Sequence, residues 1–308
     1  MTANGLHHVT AYAGDPARNV DFYTRILGLR LVKRTVNFDD PTTYHLYYGD
    51  SAGSPGTVLT FFPMAHAAPG RAGIGETQET AFAVPRGSIG WWTHRFVAAG
   101  LRHEASVQAF GQTTLRFRDP DGTMLALVGV DDGVGLAWTG GDVPAEHAIA
   151  GFHGVTLLLA EAAPTAAILT DVFGFVETSR EGSSIRFANG AGLGGHVTLR
   201  AVGEFLRGRP GAGSVHHIAF RATDDAAQAA MVQRLEQAHG MQVTEQRDRN
   251  YFRSVYFREP GGVLFEIATD IPGFAVDESA ESLGQALKLP PGLEMHRDRI
   301  EAVLPALA

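Results

Sequence analysis

The feature that most constrains the fold is a repeated order of short strands and single helices along a chain of 308 residues. Residues 6–32 and 152–178 each read as a strand, a stretch with helical periodicity, a glycine and another strand. Residues 117–129 (FRDPDGTMLALVG) and 257–269 (FREPGGVLFEIAT) each finish a strand, pass an acid-Pro-x-Gly turn and enter an apolar strand. Because such units recur along the whole chain, the sequence predicts four βαβββ modules that begin near residues 5, 78, 151 and 214.

The predicted fold class is α+β, with the four βαβββ modules paired into two curved-sheet domains. The N-terminal domain is predicted at 1–135, with modules 5–70 and 78–130, and the C-terminal domain at 150–270, with modules 151–205 and 214–270. Residues 129–147 are glycine-rich and aperiodic, which is typical of a linker. Residues 271–308 are predicted to form a helical tail that packs on the body or on a neighbouring subunit, through Met295, Ile300, Val303 and Leu304.

Composition narrows the chemistry. The formal net charge of -8 gives no basic surface for nucleic acid or for an anionic membrane. No apolar run is long enough to cross a bilayer, and no secretory signal is visible, so we expect a soluble cytoplasmic protein. The chain has no cysteine, so any metal must be held by histidine and carboxylate.

Strand alternation predicts which side chains share a concave face. Residues two apart point to the same side of a strand, and the apolar set should pack on the helices. This reasoning places four chemically active side chains on the uncovered faces of the first and fourth modules: His8, His217, Glu266 and Tyr256. By the same alternation, His7 and His216 start on the opposite side.

Two histidines and one carboxylate on such a face predict a metal site. A lone histidine on a strand is more often a hydrogen-bonded structural residue, but here each candidate stands seven residues before an aspartate, Asp15 or Asp224, that opens a helix. Thr60 stands in the first module where Glu266 stands in the fourth, which leaves three strong ligands. Ligand identity alone does not separate a non-haem Fe(II) site from a zinc site.

The other two modules lack the ligands. Glu79 and Ala126 fall at the positions of His217 and Glu266 in the second module, and Gly154 and Leu199 stand at the corresponding positions of the third. The aromatic residues that could shape a substrate site belong to the core by default: Phe61, Phe62, Trp91 and Trp92.

Five segments resemble the vicinal oxygen chelate superfamily, and within it the ring-cleaving dioxygenases that act on hydroquinones. They are LHHVT at the start, LVKRTVNFDD at 31–40, HHIAF, LFEIATDIPGF and ALKLPP near the end, and their order covers nearly the whole chain. The resemblance implies His8, His217 and Glu266 as metal ligands. It also implies functional roles around the metal for five further residues: His7, Thr10, His216, Arg249 and Tyr256.

The implied function is that of an Fe(II)-dependent extradiol-type dioxygenase that inserts O₂ into hydroquinone-type compounds. Mn(II) is the alternative metal. The implied partners are a small aromatic substrate and O₂, with no nucleic acid and no membrane, and the chain is expected to form a homo-oligomer. Tyr256 is expected to donate a proton or to orient substrate, and Arg249 to stabilise negative charge. A packing role for Tyr256, a surface salt bridge for Arg249 and a strand preference for Thr10 are the structural alternatives.

Two other functions remain open. A glyoxalase-like isomerase or lyase would use the same face with Zn(II) or Ni(II), although its relatives rely on a second carboxylate where Thr60 stands here. A metal-free small-molecule binding (resistance) protein would keep the fold without the three ligands. A thiol transferase of the fosfomycin type is usually a shorter chain of two modules.

Overall fold

The computed structural model describes residues 4–131 and 137–307 and contains two eight-stranded sheets. In chain order the strands are β1 (Leu6–Ala13), β2 (Arg30–Asn37), β3 (Asp40–Gly49), β4 (Val58–Pro63), β5 (Glu76–Pro85), β6 (Val107–Ala109), β7 (Gln112–Arg118), β8 (Met124–Val130), β9 (Gly151–Leu159), β10 (Val176–Glu181), β11 (Ser184–Ala188), β12 (His196–Ala201), β13 (Val215–Ala222), β14 (Arg247–Asp248), β15 (Arg253–Arg258) and β16 (Leu264–Thr269). The α-helices are α1 (Pro16–Asp21), α2 (Ile89–Ala98), α3 (Ala163–Asp171), α4 (Asp225–His239) and α5 (Arg297–Glu301).

The four predicted modules are present, and the α+β fold class is confirmed. The first sheet runs β14-β15-β16-β13-β1-β4-β3-β2, and the second runs β10-β11-β12-β9-β5-β8-β7-β6. The first module therefore pairs with the fourth, and the second pairs with the third. Each sheet combines one module from each predicted sequence domain, so the division into domains 1–135 and 150–270 stays a prediction about folding units. Residues 132–136, in the predicted linker, lie outside the described residues, as do residues 1–3 and Ala308.

Helix capping confirms the two helix starts predicted at aspartate. The Asp15 side chain accepts a hydrogen bond from the backbone N–H of Arg18 at 2.8 Å, and α1 begins at Pro16. The Asp224 side chain accepts a hydrogen bond from the backbone N–H of Ala227 at 2.8 Å, and α4 begins at Asp225. Such caps satisfy backbone donors that the first helical turn leaves free. Among the helices in the described ranges, none is long and apolar enough to cross a membrane.

The two sheets share one register pattern. In the first sheet Thr10 lies opposite both His217 and Thr60, and in the second Thr156 lies opposite both Glu79 and Thr198. The predicted equivalence of Glu79 with His217 therefore holds. The predicted equivalence of Leu199 with Glu266 was wrong by one residue, because Thr198 takes that place, and a one-residue slip moves a side chain to the other face.

The C-terminal tail packs on the body of the chain. Leu289 and Ile300 are buried against Val36 of β2, and the backbone N–H of Lys288 donates to the carbonyl of Arg34 at 2.9 Å. Of the four apolar positions predicted for tail packing, Ile300 and Leu304 contact this cluster, whereas Met295 and Val303 are 82% and 56% exposed. Two of the four predicted apolar positions of the tail therefore pack on the body of the chain.

Candidate metal centre

His8, His217 and Glu266 converge at the centre of the first sheet. The antiparallel pairing of β1 with β13 brings the two histidines together across 209 positions of sequence, and β16 pairs with β13 on its other side. Nε2 of His8 lies 3.2 Å from Nε2 of His217, and Oε2 of Glu266 lies 3.4 Å and 2.9 Å from these two nitrogens. All three side chains are buried, and their ligand atoms lie within 4.8 Å of one another.

The hydrogen bonds around this cluster leave three acceptors facing one point. Nδ1 of His8 lies 3.0 Å from Nδ1 of His7, and Nδ1 of His217 lies 2.7 Å from Nδ1 of His216. The Thr269 backbone is a hydrogen-bond partner of His7, so a carbonyl there takes one ring N–H and leaves Nδ1 of His7 as an acceptor. When His8 and His217 each donate their Nδ1–H, each Nε2 carries a lone pair toward Oε2 of Glu266, a buried atom that has no hydrogen-bond partner among the described residues. Three unsatisfied acceptors at this spacing fit a divalent cation.

The protonation states of His217 and Glu266 also favour metal binding at this cluster. Burial lowers the pKa of His217, which keeps this imidazole neutral near neutral pH. Burial alone would raise the pKa of Glu266, but in the metal-free protein the charge and the hydrogen bonds that His8 and His217 offer outweigh it and hold that pKa well below the ordinary value. A neutral imidazole and an ionised carboxylate are the forms that bind metal.

Ser254 orients the carboxylate. Its hydroxyl donates a 2.5 Å hydrogen bond to Oε1 of Glu266, which leaves Oε2 turned toward the histidines. Alternation along β15 predicts Ser254 on the same face as Tyr256, but a serine there gives no signal of this role without the pairing of β15 with β16.

The first histidine of each pair reaches the ligands because strict alternation fails. The pairing of β1 with β13 changes register at two places, one at His7 and one at His216, as in a β-bulge. A bulge inserts one residue and turns its side chain away from the regular pattern. His7 and His216 therefore contact the ligand imidazoles rather than the metal position, and burial lowers the pKa of each to about 3, which keeps both neutral as acceptors.

A cavity of about 260 Å³ opens beside the cluster, and we call it the metal cup. Tyr256 lines it with its ring centroid 5.8 Å from that of His217, and burial raises the pKa of Tyr256 above its ordinary value. Nε of Arg249 donates to the Tyr256 hydroxyl at 3.3 Å, and the same guanidinium forms a 3.2 Å ion pair with Asp39. The remaining lining residues are His8, Tyr12, Asn37, Phe38, His45, Tyr47, Phe62, His216, His217, Phe252 and Glu266.

Thr10 lies behind the wall of the metal cup. It accepts a 2.8 Å hydrogen bond from the Thr60 hydroxyl, which in turn lies 2.9 Å from Nε2 of His45. Nδ1 of His45 lies 2.8 Å from the Tyr47 hydroxyl. Sequence reasoning missed His45, because only the register of β3 on β4 shows that this strand borders the site. Of the aromatic residues assigned by default to the core, Phe62 lines the metal cup.

Replacement of His216 by alanine tests the outer hydrogen bond. We expect His216→Ala to lower Fe(II) affinity by about 10- to 100-fold, the range for losing a partner that orients a metal-bound imidazole. Anaerobic equilibrium titration measures this change. The matched control is His66→Ala, a histidine outside the metal cup, which should leave affinity unchanged. Equal affinity of His216→Ala and the parent would show that the Nδ1 contact does not orient the ligand.

The geometry is that of paired βαβββ modules with a possible metal site of two histidines and one glutamate. The family described as the Glyoxalase/Bleomycin resistance protein/Dioxygenase superfamily matches residues 5–127 and 151–267. The chain belongs to this superfamily.

Individual relatives extend the comparison. The chain is 46% identical over 297 residues to the Bacillus subtilis (strain 168) protein named "Putative ring-cleaving dioxygenase MhqO", covering 96% of this chain and 94% of that protein. It is 34% identical over 303 residues to a chlorohydroquinone/hydroquinone 1,2-dioxygenase of Sphingobium indicum, covering 96% and 94%. A Bacillus subtilis crystal structure titled as a putative dioxygenase superposes with a TM-score of 0.95 at 44% identity, over 99% of this chain and 98% of that one.

Proposed function

We propose that this protein is an Fe(II)-dependent, extradiol-type dioxygenase that cleaves the ring of hydroquinone-type compounds. The observation that carries the proposal is the geometry of the metal cup. Two imidazoles and one carboxylate lie on one side of the metal position, and a cavity sized for a single aromatic ring opens on the other. The names of the relatives at 46% and 34% identity support the reaction and the substrate class.

His8, His217 and Glu266 would hold the metal. A bound ferrous ion would supply coordination sites for a phenolic oxygen and for O₂, and it would lower the pKa of the bound phenol. The protein's own part is to place the two reactants side by side in a small cavity, which removes much of the cost of their encounter.

Tyr256 and Arg249 supply the polar groups of the cavity. The raised pKa keeps the Tyr256 hydroxyl protonated near neutral pH, and because its oxygen accepts from Arg249, its own hydrogen is left to donate toward a substrate oxygen. The Arg249 guanidinium, tethered by Asp39, holds a positive charge at the rim where oxygen gains negative charge.

His45 forms part of the cavity wall and is held in place by hydrogen bonds at both ring nitrogens. The Thr60 hydroxyl donates to Thr10, so it accepts the Nε2–H of His45, and Nδ1 of His45 then accepts from the Tyr47 hydroxyl. Burial lowers the pKa of His45 well below its ordinary value, so this imidazole stays neutral with both nitrogens engaged. We therefore assign His45 to positioning the substrate ring rather than to proton transfer.

A glyoxalase-like isomerase is not favoured by the same geometry. The hydroxyl of Thr60, in place of a second carboxylate, is engaged with Thr10 and His45 and offers neither a negative charge nor a basic group for proton transfer. The 14% identical glyoxalase I of Zea mays, which superposes with a TM-score of 0.64 over 87% of this chain and 92% of that one, shows a shared fold.

Oxygen uptake separates the two reactions. Protein loaded anaerobically with Fe(II), Mn(II), Zn(II) or Ni(II) is mixed with O₂ and hydroquinone, and in parallel with a hemithioacetal. We expect O₂ consumption with hydroquinone on the Fe(II) form and no turnover of the hemithioacetal on any form. Hemithioacetal turnover without O₂ uptake would overturn the proposal. Homo-oligomer formation stays a prediction, which light scattering on a sizing column measures.

A further inference from the structure

The second sheet encloses a cavity of about 390 Å³ that no part of the proposed reaction uses. Its strands repeat the register of the first sheet, so each position in one cavity has an equivalent in the other. We call this cavity the arginine cup. The residues that carry the argument below are Glu79, Phe110, Arg116, His153, Arg186 and His196.

The arginine cup lacks the two histidines and the glutamate of the metal cup, and Glu79, which takes the His217 position, forms an ion pair with Arg116. Gly154 lies opposite Ala81 as His8 lies opposite Ala219, so Gly154 takes the His8 position. Ala126 takes the Glu266 position, because it pairs with Ala81 as Glu266 pairs with Ala219. A Cβ atom on Gly154 would lie 2.1 Å from the backbone oxygen of His196, so no side chain fits there. This cavity cannot bind a metal in the way the first does.

Two arginines take the places of two tyrosines. Arg116 pairs with Ala126 as Tyr256 pairs with Glu266. Arg186 pairs with Thr198 as Tyr47 pairs with Thr60. The metal-binding side chains are replaced as described above, and the exchange of tyrosine for arginine adds cationic groups, so the second cavity favours an anion where the first favours a cation.

The two arginines differ in their ion-pair and hydrogen-bond partners. Nε of Arg116 forms a 2.6 Å ion pair with Glu79. Arg186 is half-buried, donates from one terminal nitrogen to the Gln112 side chain at 2.8 Å, and lies 4.0 Å above the Phe110 ring. Within residues 4–131 and 137–307 its buried Nε has no hydrogen-bond partner, and although burial lowers the pKa of Arg186 to about 10, the guanidinium stays charged near neutral pH. A half-buried charge without a carboxylate at hydrogen-bond distance favours an anionic ligand.

Aromatic rings form one wall near Arg186, within a lining that is otherwise largely polar. His153 and His196 stack with ring centroids 4.2 Å apart and an interplanar angle of 5°, and burial lowers the pKa of both, which keeps them neutral. Phe110 has a φ of 50°, a left-handed conformation that is strained for a bulky residue.

We propose that the arginine cup binds a small monocarboxylate with an apolar, ring-sized body. Arg116, Arg186 and Arg200 face Glu79 and Glu104 in the lining, and Glu181, whose side chain accepts from the Phe110 backbone N–H, acts on Arg186 from outside it, so the charge at Arg186 matches one carboxylate at most. The volume lies within the ordinary range for small-molecule sites, and the stacked imidazoles and the Phe110 ring suit a flat body. This site is independent of the reaction proposed for the metal cup.

Calorimetric titration with benzoate tests the proposal, with benzamide as a neutral molecule of the same shape. The full chain is titrated as the parent and with Glu266→Gln, which keeps benzoate from binding to a metal in the other cavity. We expect benzoate to bind both forms and benzamide to bind less tightly. Arg186→Gln should weaken benzoate by about tenfold or more, as expected for losing a hydrogen bond to a charged group.

Two further variants distinguish a lost contact with benzoate from a folding defect or from the loss of any arginine. Arg186→Lys retains the charge and should retain most of the binding, so a loss in Arg186→Gln is not a folding defect. Arg180→Gln, which removes an exposed arginine paired with Glu177 on β10, should bind as the parent does. The proposal is overturned if benzoate does not bind the parent, if binding disappears with Glu266→Gln but survives Arg186→Gln, or if inorganic phosphate binds more tightly than benzoate.

Discussion

Glu266→Gln is expected to abolish metal binding and activity while leaving the protein folded. The substitution removes the only anionic ligand of the three and leaves two neutral imidazoles. Loss of an outer hydrogen-bond partner already costs about 10- to 100-fold in metal affinity, so loss of this ligand should cost more than about 100-fold, with activity falling in parallel. The metal content after anaerobic loading and the rate of O₂ uptake measure both effects.

The melting temperature distinguishes a loss of metal binding from a loss of folded structure. In the metal-free protein the Glu266 carboxylate lies 2.9 Å from Nε2 of His217 and its pKa is held well below the ordinary value, so its negative charge stabilises the fold near neutral pH. A glutamine amide keeps the shape and can hydrogen-bond to the imidazoles, so we expect the metal-free variant to stay folded and to melt somewhat below the parent. Fe(II) should raise the melting temperature of the parent alone, because only the parent binds it.

The matched control is Glu79→Gln. Glu79 is a buried carboxylate at the position of His217 in the other sheet, where it pairs with Arg116. This variant should keep both the Fe(II)-dependent rise in melting temperature and the activity. Turnover retained by Glu266→Gln would mean that the ligand assignment is wrong.

Tyr256→Phe is expected to lower kcat by about 10²- to 10⁴-fold, the usual effect of losing a positioned proton donor. Metal content should not change, because the Tyr256 hydroxyl bonds to Arg249 and not to a ligand. Steady-state O₂ uptake at saturating hydroquinone, with metal content measured on the same sample, gives this effect. Tyr44→Phe, which removes the hydroxyl of a buried tyrosine outside the metal cup, is the control. An unchanged kcat in Tyr256→Phe would reduce that residue to a packing role.

Alternation along single strands was enough to place the main site residues on one face. His8, His217, Glu266 and Tyr256 needed only the two-residue period and the repeat of the modules. The position of His7 and His216 could not be predicted in this way, because it depends on bulges between β1 and β13 and therefore on knowing that these strands pair.

The pairing of strands that are distant in sequence also explains the other differences between the predictions and the structure. The repeats predict four modules, but they do not indicate that the first module pairs with the fourth, since every module has the same pattern. His45 enters the site through the register of β3 on β4, and Thr198 rather than Leu199 takes the Glu266 position through the register of β12 on β9. Register is a property of two strands, and one strand's sequence does not contain it.

Isotope labelling tests the central claim most directly. Fe(II)-loaded protein is supplied with hydroquinone and ¹⁸O₂, and the ring-cleaved product is examined by mass spectrometry together with the amount of O₂ consumed. The account predicts one O₂ consumed per hydroquinone and both labelled atoms in a ring-opened product, with neither event in Glu266→Gln. A product without label, or hydroquinone oxidised to quinone with its ring intact, would contradict it.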